Sequence, residues 1–212
     1  YKNGDRYVGD FKQGFLHGEG SFTYANGNQY IGEFAIDQFN GRGTFSYADG
    51  NQYIGNFRQG AFKGQGTYTY SNGDHYIGEF FADRFNGKGV FSYTDGNQYK
   101  GNFEQGLFSG QGTYTYADGN QYIGGWIQGA RTGTGTFTWS NGSRYVGQWK
   151  DDKRHGEGTI LYGNGDQYIG GWQNGKRAGP GTFKRTNGSK YIGEWKDDKK
   201  TGPGTKTWGP KS

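Results

Sequence analysis

Apolar and polar positions alternate along this chain in short runs, and the runs recur. Tyr30-Ile31-Gly32-Glu33-Phe34 places an aromatic ring or a glycine at every second position, with Ile31 and Glu33 between them. Gly43-Thr44-Phe45-Ser46-Tyr47 alternates likewise. Each run predicts a short β-strand, because successive side chains of a strand point to opposite faces. The second run leads into Asp49-Gly50, and Asn-Gly or Asp-Gly stands at this place from Asn26-Gly27 to Asn187-Gly188. That pair tolerates the positive φ angles of a type I′ turn, so the pattern predicts a hairpin joined tightly to the next.

The pattern restarts at Tyr7, Tyr30, Tyr53, Tyr76, Tyr99, Tyr122, Tyr145, Tyr168 and Tyr191, always 23 residues on. A fixed period of this length marks a repeat architecture. Two strands per repeat predict roughly eighteen strands, on the order of 85 Å of sheet at about 4.8 Å per strand. The fold class expected is therefore all-β, an elongated single-layer antiparallel hairpin array with a twist. Alternation assigns Tyr30, Gly32, Phe34, Gly43, Phe45 and Tyr47 to one face and Ile31, Glu33, Thr44 and Ser46 to the other. The glycines between aromatics leave room for rings to lie across the backbone, which lets a sheet with few aliphatic residues build a core.

This expectation changes how the composition is read. Of 212 residues 45 are glycine and only 30% are hydrophobic, a balance suggestive of disorder. The glycines, however, sit at fixed places in the period, and 19% of residues are aromatic. Cysteine is absent, which excludes disulfides and thiolate chemistry and leaves the redox compartment open. Tyr1 falls at the repeat position of Tyr24 and Tyr47, so the sequence reads as a fragment beginning inside a repeat. At the other end Arg185 and Lys206 replace ring-face aromatics, Pro203 starts the last strand, and Pro210-Lys211 stands where Asn-Gly is expected, which together read as a cap over 203–212.

Tyr-x-Gly-x-(Phe/Trp), then Gly-x-Gly, then (Asn/Asp)-Gly at a 23-residue period resembles the MORN (membrane occupation and recognition nexus) repeat over essentially the whole chain. The resemblance implies an aromatic-lined groove used as a scaffold or targeting module, with no catalysis. It also implies a basic residue in the loop between the two strands, two positions before Gly-x-Gly. Here the first five repeats carry Leu16, Phe39, Phe62, Phe85 and Phe108 instead, and the last four carry Arg131, Arg154, Arg177 and Lys200.

The same boundary separates two halves. Residues 1–120 have Phe in the first strand and a net charge of −3; residues 121–212 have Trp there and a net charge of +8. The Phe line is read either as core packed on glycines or as the border of a groove that holds a protein or peptide partner. The basic line is read either as a solvated face, partly cancelled by Asp151, Asp152, Asp197 and Asp198, or as a dock for anionic phospholipid. Side-by-side pairing of copies through edge strands is a third reading. The expected location is cytoplasmic, peripheral to membrane or cytoskeleton.

For catalysis the inventory is poor, and no enzyme, cofactor or metal is expected. His17 and His155 occupy one repeat position six repeats apart, about 58 Å by strand spacing. Asp10, Glu33, Glu79 and Glu194 face away from the rings and form no acid–base pair. Gly-x-Gly precedes a strand here and not a helix, so it is no phosphate loop. Rings committed to glycine packing and an acidic first half disfavour nucleic acid.

Overall fold

The structure is a computed structural model and describes residues 3–209; Tyr1 and the Pro210-Lys211 replacement lie outside the described residues. It contains eighteen antiparallel strands and, among the described residues, no helix. The all-β, antiparallel hairpin fold class read from the alternation is the one observed. The chain divides into two compact units between Leu107 and Phe108.

In the first unit β1 (Arg6–Lys12), β2 (Phe15–Thr23), β3 (Gln29–Ala35), β4 (Gln38–Ser46), β5 (Gln52–Arg58), β6 (Ala61–Thr69), β7 (His75–Phe81), β8 (Arg84–Ser92) and β9 (Gln98–Glu104) follow one another as a meander. In the second, β10 (Leu107–Thr115), β11 (Gln121–Ile127), β12 (Ala130–Thr138), β13 (Arg144–Lys150), β14 (Lys153–Leu161), β15 (Gln167–Gln173), β16 (Lys176–Lys184), β17 (Lys190–Lys196) and β18 (Lys199–Thr207) do the same. Strands of seven and nine residues alternate, longer than the five-residue runs that suggested them.

That extra length moves one feature of the sequence reading. The residues placed in a loop before Gly-x-Gly, Phe39 among them, belong to strand β4 and its equivalents, because a two-residue turn lets the pairing run to the hairpin end. Pairing then skips at the glycines: Gly32 faces Gly43 and Phe34 faces Phe39, so Asn40, Gly41 and Arg42 oppose Glu33 alone. Gly41 takes up this bulge at φ 61°, a left-handed conformation open to glycine.

The Asn-Gly connection is not the type I′ turn that the sequence predicts. Around Asn26-Gly27, Gly27 N–H donates to Tyr24 O (3.0 Å) and Tyr24 N–H to Asn28 O (2.9 Å), and Gly27 alone of the loop residues has positive φ. This is a type I turn closed by a left-handed glycine, the three-residue hairpin loop and not a type I′ turn. The type I′ geometry lies at the other end of the hairpin, where Ile36 and Asp37 have φ 49° and 60°. Gln59-Gly60 and Asp151-Asp152 occupy equivalent turns.

Candidate functional site

The core of each unit is a file of tyrosines lying on glycine. Tyr30, Tyr53, Tyr76, Tyr99, Tyr122, Tyr145 and Tyr168 are wholly buried. A Cβ added to Gly66 would lie 2.6 Å from Cε2 of Tyr53, so the ring occupies the space that glycine vacates. Each hydroxyl reaches past the glycines to a backbone carbonyl: Tyr53 donates to Asn56 O (2.9 Å) and Tyr145 to Gln148 O (3.0 Å). Burial raises the phenol pKa of Tyr53 and Tyr145 and pushes that of Tyr122 and Tyr168 up to about 12.

The Phe line lies on top of this file. Phe39, Phe62 and Phe85 stack on Tyr30, Tyr53 and Tyr76 with centroids 3.9, 3.8 and 4.0 Å apart and planes within 19°. Phe34, Phe57 and Phe80 close the sides edge-on. Leu16 and Phe62 are buried, Phe39 and Phe85 half-buried. Phe108 opens the second unit, half-buried and edge-on to Trp126 at 5.4 Å. Beside the stacks a second row of half-buried rings crosses the first unit: Tyr24, Phe45, Tyr47, Tyr68, Tyr70 and Phe91, each centroid 4.7–6.2 Å from the next.

The basic line occupies the same place in the second unit. The guanidinium groups of Arg131, Arg154 and Arg177 lie 4.7, 4.1 and 4.3 Å from the ring centroids of Trp149, Trp172 and Trp195. Lys200 Nζ lies 4.4 Å from Tyr191. Arg131 and Arg177 also pair with Asp152 and Asp198 at 2.9 and 3.0 Å. Arg154 instead donates from Nη2 to Gly175 O (2.7 Å), and burial lowers its pKa. Alternation along the sequence shows the periodicity of these charges but not that their long stems lie down on tryptophan.

The change from Phe to Trp in the first strand has its own cause. Trp126, Trp149, Trp172 and Trp195 donate from Nε1 to the carbonyls of Gly112, Gly135, Gly158 and Gly181, at 3.2–3.4 Å. Each indole thus ties its strand to the preceding repeat, which phenylalanine cannot do.

The opposite face carries a strip that the sequence reading did not single out. Ile31 pairs with Thr44, Thr44 with Ile54, Ile54 with Thr67 and Thr67 with Ile77, and the isoleucines are about half exposed. With the glycines beside them they line a shallow groove of about 690 Å³. In the second unit the equivalent strip of Val146, Ile169 and Ile192 is flanked by lysines, and Lys150 faces Lys153 and Lys196 faces Lys199 directly. The signal was present as a β-branched residue at nearly every strand centre, Ser21 and Lys100 being the exceptions. Among the described residues no three His, Asp or Glu side chains converge as a metal site, and no helix is long and apolar enough to cross a membrane.

No curated protein sequence matches the chain. Among solved structures it is similar to the Drosophila melanogaster SAS-4 (dCPAP) TCP domain in complex with a proline-rich motif of Ana2 (dSTIL), at 13% identity, TM-score 0.48, over 80% of this chain and 90% of that one. It is also similar to the microcephaly protein CPAP G-box domain, at 14% identity, TM-score 0.44, over 98% and 100% of the two chains. The sequence profile of the MORN repeat matches nine consecutive segments, 7–29, 30–52, 53–75, 76–98, 99–121, 122–144, 145–167, 168–190 and 191–212. With tyrosine, glycine and aromatic residues in register through all nine, the chain belongs to the MORN repeat family.

Proposed function

We propose that this array is a non-enzymatic scaffold or targeting module whose ring face holds a segment of a protein partner. The observation that carries this is the row of half-buried rings from Tyr24 to Phe91, flanked by Phe39 and Phe85, an apolar strip left open on a one-layer sheet. Leu16 and Phe62 hold the same repeat position as Phe39 and Phe85 but are buried, and Phe108 takes the equivalent position in the second unit. Selection of a random peptide display library on the immobilised chain tests it. Enriched peptides should lose binding to a Phe39→Gln, Phe85→Gln protein that melts within a few degrees of the wild type. Equal binding to both proteins would reject the ring face as the partner site.

A second reading has its own observation, the exposed lysines that flank Val146, Ile169 and Ile192 in the second unit. Like charges directly opposed across strands are unfavourable, which Lys150–Lys153 and Lys196–Lys199 offset on meeting an anionic surface. The line Arg131, Arg154, Arg177 and Lys200 adds positive potential from the other face. Co-sedimentation with vesicles with and without anionic lipid decides this: binding that needs anionic lipid and weakens with salt supports it, and no binding at low salt rejects it.

A further inference from the structure

Resting on the reading of the ring face as a partner site, we propose that the segment held on the first unit is an extended chain with two arginines six residues apart, one for Asp37 and one for Asp83. The molecule supplies the template itself. At four type I′ turns the second residue is an aspartate whose Oδ1 accepts a backbone N–H from the preceding repeat: Leu16 for Asp37, Phe62 for Asp83, Arg131 for Asp152 and Arg177 for Asp198, at 2.7–3.0 Å. In the second unit the residue giving that N–H also gives a guanidinium. Arg131 Nε meets Asp152 Oδ1 at 2.9 Å, Nη2 donates to Asp152 O at 3.0 Å, and the group lies on the ring of Trp149. Arg177 repeats this at Asp198.

In the first unit the same places hold Leu16 and Phe62, which give the N–H and no charge. Asp37 and Asp83 are exposed and, among the described residues, form no ion pair. Each stands two residues before a half-buried ring, Phe39 or Phe85, and Tyr47 feels the charge of Asp83. A carboxylate beside aromatic rings suits arginine, whose planar guanidinium stacks and forks at once, better than lysine.

Spacing sets the rest. The turns of Asp37 and Asp83 are four strands apart, about 19 Å at 4.8 Å per strand. An extended chain rising about 3.1–3.4 Å per residue covers that in six residues.

Synthetic peptides with two arginines six apart, two arginines three apart, or glutamines in their place test this by calorimetry against the full chain. The six-spaced peptide should bind one to one. Its affinity should fall about tenfold on Asp37→Asn, Asp83→Asn, a change in which the asparagine Oδ1 still accepts the N–H of Leu16 and Phe62. Phe62→Arg, which answers Asp83 from within as Arg131 answers Asp152, should remove the advantage of the second arginine. Equal binding of the three peptides, no binding of any, or unchanged affinity for the doubly substituted protein overturns the inference. Ring-dependent peptides without arginine from the display selection would then leave the ring face standing as a partner site, so the two failures are told apart.

Discussion

The ring of Tyr53 lies across Gly66 on the neighbouring strand, and no atom larger than hydrogen fits between them: a Cβ on Gly66 would stand 2.6 Å from both Cε2 and the hydroxyl of Tyr53. The ring cannot yield, since Phe62 stacks on its other side at 3.8 Å. Gly66→Ala should therefore cost about 1–3 kcal/mol, or more if the stack is displaced. Gly60 has open space around it and needs only its left-handed φ of 82°, which asparagine tolerates, so Gly60→Asn should leave the urea midpoint almost unchanged. An alanine at Gly66 as mild as the asparagine at Gly60 would show that the tyrosines are not packed as described.

The tyrosine file also sets a limit at high pH. Tyr53 and Tyr145 have raised pKa values, and Tyr122 and Tyr168 are pushed up to about 12, because burial disfavours the phenolate. An unfolded chain loses these protons near pH 10 while the folded chain keeps them. The unfolded state then binds fewer protons, so stability is full below about pH 10 and declines from there through pH 12. Thermal melts should show a falling transition temperature across that window, with tyrosinate absorbance appearing together with loss of strand signal. Phenolate formation well before unfolding would contradict burial of these hydroxyls.

Ile36 is a branched residue in the left-handed region, at φ 49° and two-thirds exposed, so it contributes strain without burial. Replacing it by glycine, as at the second turn position in Gln59-Gly60, should stabilise the protein by about 0.5–1 kcal/mol. Asp37 should not be changed with it, because its carboxylate receives the N–H of Leu16 at 2.7 Å. A lower melting temperature for Ile36→Gly would mean that Ile36 makes a contact the turn needs.

Much of this fold was legible because tyrosine and glycine recur with both the strand period and the repeat period. Tyr30, Gly32 and Gly43 were assigned to one face from spacing alone, and they lie together there. The turns were less legible: Asn26-Gly27 is the usual type I′ pair, yet the ladder closes on Tyr24 and Asn28, leaving three residues in the loop and one left-handed position. Local composition does not encode where the last ladder bond falls. The bulge at Gly41 was hidden for a related reason, since alternation continues through it while the pairing does not. For the candidate site, the sequence showed a Phe line and an Arg line as separate features. That both lie on the same tyrosines is a three-dimensional fact, visible only once Phe62 and Arg154 are placed over Tyr53 and beside Tyr145.

This equivalence predicts that the two kinds of residue are exchangeable where no carboxylate is involved. Arg154 lies 4.1 Å from Trp172 and 5.7 Å from Tyr145, forms no ion pair among the described residues, and is held below its ordinary pKa by burial. Arg154→Phe keeps the ring contacts and relieves the desolvation of a cation, so its stability should stay within about 1 kcal/mol of the wild type. Arg154→Ala removes the packed stem and opens a gap over the tyrosine, a loss of about 1–2 kcal/mol. Denaturant midpoints of the two variants make the comparison. If phenylalanine proved as costly as alanine, the bond from Nη2 to Gly175 O would be what this position requires, and packing over the tyrosine file would not explain why arginine replaces phenylalanine there.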